Sequence, residues 1–265
     1  MQITKYCFIW CVILFISGVV VAADKPPKHP NTGKPLVIDV LRGSPKIDGK
    51  LDDWMLDYLT PAVLDTKEQI FPGAAQAAKA WKNPADSSGE FYVLWDDDNI
   101  YMASIMKDNK LSMQKDGSGI WNADCIEVFL STPRAVPPHN EHYQWGFNPD
   151  NKKWNWCNMD GNGNQEPDYL KVKSTKTGTG YICEVAIEHS NVKSLKFKVG
   201  NTLGFHPCFD DADDGPDRKL QMTWTGREAH DQSQGFGHII LSDEPMPVGA
   251  KGKLAVAWGD VKTLK

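Results

Sequence analysis

The residues best suited to ligand binding are Trp121, Asp124 and Glu127, at the start of an otherwise apolar segment, 120–130. A carboxylate is costly to bury unpaired, so both acids need a partner, a metal ion or a polar ligand. An indole ring stacks well on the apolar face of a pyranose, and carboxylates accept hydrogen bonds from its hydroxyls. These residue types favour a sugar site. The competing interpretation is a structural tryptophan under a loop, with both acids in surface ion pairs.

The elements that must position these residues are strands. The clearest pair is 89–96 and 99–107, joined by a turn at 97–99, and both strands are apolar on both faces. That pattern is typical of central strands in a sandwich. Further strands are predicted at 36–40, 76–82, 124–131, 141–148, 153–157, 168–173, 180–187, 202–209, 219–225 and 237–242. With Gly, Asn and Pro between them, this spacing predicts an all-β fold, a β-sandwich of two antiparallel sheets of jelly-roll or immunoglobulin-like type, with short helical turns.

The two ends of the chain differ from this strand-rich middle. Residues 1–23 have the pattern of a cleavable secretory signal peptide, which predicts a secreted or periplasmic protein with no membrane span after its removal; a retained anchor is the alternative. Residues 24–35 are rich in proline and polar side chains and are expected to be a flexible leader. The sandwich is expected to span 36–242, and 243–265 forms a C-terminal tail that begins with strand-breaking prolines.

Composition narrows the function classes. A formal net charge of −5 and the lack of a basic patch argue against nucleic acid as a partner. Ten tryptophans in 265 residues favour a carbohydrate-binding surface. The four cysteines after the signal, Cys125, Cys157, Cys183 and Cys208, allow three disulfide pairings, and buried free thiols are the alternative.

Two other clusters have competing interpretations. The acidic run that contains Asp210, Asp211, Asp213 and Asp214 suits an irregular calcium loop, although it does not fit the EF-hand pattern; a solvated acidic turn is the alternative. The aromatic cluster of Trp145, Trp154 and Trp156 is interpreted as core packing, with a sugar platform as the alternative. Trp54 and Trp95 are assigned to the core.

Four motifs in order carry a resemblance to a known family. They are Ile47-Asp48-Gly49 with Asp52-Asp53-Trp54, the segment 91–101, the segment 121–130, and Met222-Thr223-Trp224 followed by 235–241. Together, over about 36–242, they resemble family 9 carbohydrate-binding modules. The resemblance implies a β-sandwich that carries sugar on one end or face, attachment to xylanases or other glycoside hydrolases, and structural calcium.

The same resemblance implies a set of site residues. Trp121 and the glutamate six residues later, Glu127, match the stacking ring and hydroxyl acceptor of the family, with Asp124 between them. A second tryptophan is expected six residues before Phe236, where this chain has His230. Gln144 and Asn148 stand where the family has a binding strand with an arginine, and Arg227 is a further candidate donor.

The resulting hypothesis is an exported, non-catalytic protein that binds carbohydrate and is associated with xylan or glucan catabolism. One alternative is a glycoside hydrolase acting on O-glycosyl bonds, which needs two carboxylates across a cleft. Another is a haem-binding or interaction module with a His–Met axial pair, for which Met102, Met106, Met113 and Met222 are available. The nucleophile elbow, the phosphate-binding loop and the helical zinc motif are absent from the sequence.

Overall fold

The computed structural model describes residues 25–71, 80–133, 141–161, 163–213, 217–230 and 235–247. Within these ranges the chain forms twelve strands: β1 (Val37–Arg42), β2 (Ala62–Leu64), β3 (Ser87–Trp95), β4 (Asn99–Asp108), β5 (Cys125–Ser131), β6 (His142–Phe147), β7 (Lys153–Cys157), β8 (Lys171–Thr177), β9 (Gly180–Glu188), β10 (Thr202–Asp211), β11 (Leu220–Thr223) and β12 (Gly237–Pro245). The helical elements are short 3₁₀ turns at Leu56–Tyr58, Lys67–Gln69, Gly117–Asn122 and His189–Asn191.

The strands pair in the order β7-β6-β5-β10-β12-β1-β3-β4-β9-β8, with β11 added beside β10 and β2 beside β3. The two halves of this path contribute to one large buried cluster, which includes Ile126 and Phe209 from one half and Phe91 and Val185 from the other. The all-β class and the β-sandwich are therefore confirmed. The expectation of purely antiparallel sheets is wrong at one strand, because β1 is parallel to both β12 and β3.

The β3–β4 pair lies at the centre of one half and is buried on both faces. Phe91, Val93 and Trp95 enter the main core. Tyr92 and Leu94 point to the opposite face and pack with Trp54 in a second cluster. This is the alternation expected for strands covered on both sides, and it confirms the assignment of Trp54 and Trp95 to the core.

The second cluster is closed by the segment around Gly49. The buried Glu184 of β9 accepts hydrogen bonds from the backbone N–H groups of Asp48, Gly49 and Lys50 and, at 2.7 Å, from Trp54 Nε1. Gly49 has φ +84, and a Cβ there would lie 2.4 Å from Thr175 Oγ1. The turn at Asp48-Gly49 and Trp54 thus act together: their four hydrogen bonds to the Glu184 carboxylate hold this segment against the face of the sheet.

Several boundaries differ from the sequence predictions. The strand β2 was not predicted, and β12 continues through Pro245, where prolines were expected to end the strand. Proline is tolerated there because its pairing with Arg42 follows a register shift between β1 and β12, an irregularity of the kind at which sheets accept proline. Residues 27–36 form a hydrogen-bonded turn, with Leu36 N donating to Pro27 O at 2.9 Å, so this part of the expected flexible leader packs as a defined structure.

Other expectations fall partly or wholly outside the described ranges. These are the signal peptide at 1–23, the end of the tail after residue 247 and most of the edge strand at 76–82. In the described part of the chain, no helix has the length and apolar character needed to cross a membrane. The four cysteines that follow the signal-like segment are all described, and none of them is in a disulfide; three are buried and Cys157 is partly buried.

Candidate functional site

A cavity of about 320 Å³ opens beside the 3₁₀ turn Gly117–Asn122, on the face of the sheet formed by β5, β6, β10 and β11. Its lining residues are Phe71, Trp121, Glu127, His142, Gln144, Trp156, Cys157, Arg218, Gln221, Glu228 and His230. We call this cavity the Trp121 pocket. Trp121 is 37% exposed, in a fold where most large apolar side chains are buried. Its ring is therefore partly open to a ligand.

The floor of the Trp121 pocket is a hydrogen-bonded network around Glu127. Glu127 Oε2 accepts from Gln144 Nε2 at 2.6 Å, and Oε1 accepts from Gln221 Nε2 at 3.0 Å. The Gln221 amide also donates to Asp210 Oδ1 at 2.9 Å. Because Glu127 is only 3% exposed, these amides fix its carboxylate in one orientation at the base of the cavity.

Arg218 connects this network to the aromatic wall. Its Nη1 lies 2.6 Å from Asp210 Oδ1 and 4.0 Å from Glu127 Oε1. Its guanidinium carbon lies 4.8 Å from the centroid of the Trp121 ring, a cation–π contact. Burial raises the pKa of Asp210 well above its ordinary value, and the charge of Arg218 opposes this rise. Arg218 thus holds both a buried carboxyl and the indole ring in place.

Strand register explains how distant segments meet here. Glu127 of β5 lies opposite Cys208 of β10 on one side and opposite Gly146 of β6 on the other. Asp210 lies opposite Gln221 of β11. Since alternate residues share a face, these pairings bring the polar side chains to the same face of the sheet.

Trp156 forms a second aromatic wall because Gly146 leaves room for it. A Cβ on Gly146 would lie 2.4 Å from Cη2 of the Trp156 ring. The ring is held by a hydrogen bond of 2.9 Å from Nε1 to Ser118 O, in the turn that carries Trp121. The core interpretation holds for Trp145, which is fully buried and stacked on Tyr143, but it is wrong for Trp156.

The structure brings together four of the seven ligand residues expected from the sequence. Trp121, Glu127, Gln144 and His230 all line the pocket, and His230 Nε2 lies 3.3 Å from Glu228 Oε1 at its rim.

The other three lie elsewhere. Asp124 is fully buried and points away from the cavity into a separate carboxylate cluster. Asn148 is 1% exposed, and its Oδ1 closes a turn by accepting from the backbone N–H groups of Asp150 and Lys152. Arg227 is exposed and is not among the lining residues. The expectation that these three residues lie in the same pocket as Trp121 is therefore not met.

Sequence reasoning missed Phe71, Arg218 and Gln221. They lie in two segments far from residues 121–127 along the chain, and only strand pairing brings them to the pocket. For Gln221 a signal was available: it alternates with the apolar Leu220 and Met222 in a predicted strand. For Phe71 and Arg218, which lie outside the predicted strands, we find no comparable signal.

The cluster that contains Asp124 also includes Asp108 and Asp211. All three side chains are buried, and each offers an oxygen within 4.8 Å of the others. Burial, followed by the nearby Asp108, raises the pKa of Asp124 to about 8 and that of Asp211 to about 7. Burial also raises the pKa of Asp108. We call this group the aspartate triad.

The aspartate triad has the donor chemistry that calcium prefers. Among the described residues, Asp108 Oδ2 and Asp211 Oδ1 are buried without a hydrogen-bond partner, and no lysine, arginine or histidine is paired with any of the three carboxylates. Ser112 Oγ is a further buried oxygen without a partner. Calcium binds through such hard oxygen ligands, so these residues fit the metal that the family resemblance implies.

The ligand set differs from the acidic run expected from the sequence. Of that run only Asp211 belongs to the aspartate triad, because Asp210 points to the opposite face and pairs with Arg218. Asp213 lies 3.8 Å from Lys219, and Asp214 lies outside the described residues. Of the other two triad members, Asp108 is the last residue of β4 and Asp124 directly precedes β5.

Most of the chain matches the model of a known protein family. Residues 58–244 match the family described as "Carbohydrate family 9 binding domain-like". The chain belongs to this family. This family 9 domain is 28% identical over 233 residues to the exoglucanase XynX of Acetivibrio thermocellus, and 28% identical over 206 residues to the endo-1,4-beta-xylanase A of Thermotoga neapolitana. These matches cover 85% and 75% of this chain but only 19% and 17% of the two enzymes, so the chain spans about a fifth of their length.

Solved structures show the same fold. A family 9 carbohydrate-binding module from Caldicellulosiruptor kristjanssonii, in complex with cellotriose, superposes with a TM-score of 0.61 at 21% identity, covering 80% of this chain and 99% of the module. The module from the same organism in complex with glucose gives a TM-score of 0.60 at 22% identity, with the same coverage. A putative carbohydrate-binding protein from Bacteroides uniformis gives 0.55 at 13% identity, covering 78% of this chain and 98% of that protein.

Proposed function

We propose that this chain is an exported, non-catalytic protein that binds carbohydrate in the Trp121 pocket and serves the breakdown of xylan or glucan. The observation that carries the proposal is the partly exposed indole of Trp121 beside the fixed carboxylate of Glu127, in a cavity of about 320 Å³. Membership of family 9 supports it, as do the xylanase relatives and the sugar complexes of the neighbouring modules. The signal-like segment 1–23 supports export.

In the proposed complex, the apolar face of one sugar ring stacks on the open part of Trp121. Trp156 and Phe71 close the apolar walls. Glu127 accepts hydrogen bonds from sugar hydroxyls, while Gln144 can both donate and accept. The cavity lies at the small end of the range for protein ligand sites, roughly 300–1,000 Å³, and therefore suits one or two sugar units.

The acids of the pocket favour binding over catalysis. A glycosidase places two carboxyl groups on either side of the scissile bond, one of them free to give a proton. Here Glu127 is held by two side-chain amides at the base of the cavity, and Glu228 is paired with His230 at its rim. Both arrangements suit fixed hydroxyl acceptors.

The test is calorimetric titration of the protein with xylo- and gluco-oligosaccharides, comparing wild type with Trp121→Ala. We expect modest wild-type affinity, nearer millimolar than nanomolar, and a loss of about 1–3 kcal/mol in the variant, by analogy with the stacking of nucleobases on aromatic side chains. Tyr58→Ala, a change at an exposed ring of a different surface, should bind normally. The proposal would be overturned if no glycan gave a heat of binding, or if Trp121→Ala and wild type bound with equal affinity.

We also propose that the aspartate triad holds a structural calcium ion. The support is the pair of buried oxygens without partners on Asp108 and Asp211, beside Asp124. Such an ion neutralises carboxylates that otherwise raise one another's pKa. It would also tie the end of β4 to the start of β5, next to the turn that carries Trp121.

A further inference from the structure

A second cavity lies on a different part of the sandwich and has the opposite charge character. It has a volume of about 640 Å³ and is formed by the segment 45–47, by β4, β8 and β9, and by the β6–β7 hairpin. Lys46, Lys153, Lys171 and Lys173 line it, and no aspartate or glutamate does. We call this cavity the lysine groove. It shares no lining residue with the Trp121 pocket.

Three of the four groove lysines form no direct ion pair with a described acid. Lys46, Lys171 and Lys173 are exposed, and among the described residues no carboxylate lies within 4.0 Å of their ammonium groups. Asp150, in the hairpin that forms one wall, is paired with Lys176 at 2.6 Å. An acidic chain thus concentrates cations in one concave surface, which favours an anionic ligand.

The shape of the groove is fixed by hydrogen bonds between its walls. Lys153 Nζ donates to Leu170 O at 2.9 Å, and Ser174 N donates to Asn151 Oδ1 at 2.7 Å, so the β6–β7 hairpin is held against β8. The side of the groove at Tyr101 is held by its hydroxyl, which donates to Asp96 Oδ2 at 2.6 Å. A groove formed in this way is ready for its ligand before binding.

We propose that the lysine groove binds a carboxylated saccharide, an oligosaccharide or polysaccharide branch that contains uronic acid. The ammonium groups pair with the uronate carboxylates, Asn99 and Asn151 face the hydroxyls, and Ile47 and Val172 contact the apolar C–H faces. A duplex nucleic acid is disfavoured because its many phosphates meet a chain of net charge −5. This proposal goes beyond the neutral-sugar site and does not depend on it.

The test is titration of the protein with trigalacturonate, and with cellotriose as the neutral probe, followed by amide chemical shifts in NMR. At low ionic strength we expect trigalacturonate to shift amides of β8 and β9, and the binding to weaken about tenfold or more when salt shortens the screening length to about 3 Å. The triple variant Lys46→Gln, Lys171→Gln, Lys173→Gln should lose the binding. The matched triple variant Lys34→Gln, Lys196→Gln, Lys198→Gln makes the same charge change at exposed lysines outside the groove and should keep it.

Each arm of this test has a decisive outcome. Trp121→Ala should leave trigalacturonate binding intact, which separates this proposal from that for the Trp121 pocket. Absence of shifts with trigalacturonate at low salt, or equal losses in the two lysine variants, would overturn the proposal. Equal binding of single-stranded DNA or anionic lipid vesicles through the same lysines would also overturn it, in favour of unspecific attraction to polyanions.

Discussion

At the scale of single residues, Arg218 connects the two chemical parts of the Trp121 pocket. Its guanidinium contacts the indole of Trp121 and pairs with the buried Asp210, whose amide neighbour Gln221 also holds Glu127. The ring and the acid to which we assign sugar binding are therefore linked by one side chain, which contacts Trp121 directly and lies 4.0 Å from Glu127 Oε1. Neither the ring nor the acid can be reoriented without disturbing this contact.

Replacing Arg218 should cost both stability and affinity. In Arg218→Met, Asp210 keeps its burial but loses its cation, so we expect the free energy of unfolding to fall by about 3–5 kcal/mol. Urea unfolding followed by tryptophan fluorescence measures this change. Adding Asp210→Asn should recover part of the stability, because Asp210 then carries no buried charge, while Glu127 still lacks the nearby cation.

A matched control is available close by. Arg227 is exposed, and Arg227→Met should change stability by no more than about 0.5 kcal/mol. Equal effects of the Arg218 and Arg227 variants would contradict the role assigned to Arg218.

At the scale of elements, the turn around Gly49 is specified by the strand it covers. Gly49 and Gly33 both have positive φ, but a Cβ on Gly49 would overlap Thr175 on β8, whereas nothing lies within 4 Å of a Cβ on Gly33. Both glycines permit a backbone conformation that other residues adopt with difficulty. Only Gly49 also permits close approach of the turn to the sheet.

This difference predicts unequal effects of the same substitution. Gly33→Ala should lower the free energy of unfolding by about 1–2 kcal/mol, the cost of the left-handed conformation. Gly49→Ala should lose a further ~1–3 kcal/mol through overpacking. Thermal unfolding of the two variants in parallel measures the difference, and equal losses would show that the contact with Thr175 is unimportant.

The strand β10 carries a buried histidine that should make the domain sensitive to acid. The His206 ring packs against Phe129 and Phe236, and His142 contacts the same two phenylalanines. Burial lowers the pKa of His206 to about 3. In the unfolded chain its pKa is about 6.5. As the pH falls below about 6.5, His206 becomes protonated in the unfolded chain but stays neutral in the folded protein. The unfolded state is therefore favoured, and the free energy of unfolding falls.

Between pH 8 and pH 5 this single group should remove about 2 kcal/mol of stability. His206→Phe should therefore lose less stability than wild type over this interval, as measured by urea unfolding at each pH. An imidazole signal of His206 that titrates near its ordinary pKa in NMR would contradict the prediction.

At the scale of the whole molecule, calcium should stabilise the domain through the aspartate triad. The pKa values of Asp124 and Asp211 are raised to about 8 and about 7, so the metal-free domain loses stability as the pH rises from the unfolded value of about 4 to these values. Calcium displaces the remaining protons. The rise in melting temperature on adding calcium should therefore be larger at pH 8 than at pH 6.

The double variant Asp124→Asn, Asp211→Asn should lose this calcium response. The double variant Asp52→Asn, Asp57→Asn changes the same number of charges at exposed acids and should keep it. A melting temperature that calcium leaves unchanged in wild type would contradict a metal at the triad.

The sequence predicted the sandwich more completely than the site, for a physical reason. Strands such as β3 and β4 carry their burial pattern in consecutive residues, and Trp121 and Glu127 lie in one short segment, so local pattern suffices for both. Arg218 and Phe71 reach the pocket only through the register of distant strands. Asp210 and Asp211 look equivalent in an acidic run, yet strand alternation sends them to two different sites.

The place of β12 in the sheet has a consequence for the order of assembly. This strand, the last among the described residues, lies between β10 and β1, where Leu203 and Ile38 both pair with Ile239. A growing polypeptide that stops before Gly237 therefore leaves two partial sheets whose unsatisfied backbone edges face each other. The domain can close only after β12 has been synthesised, and removing this nine-residue strand should abolish folding.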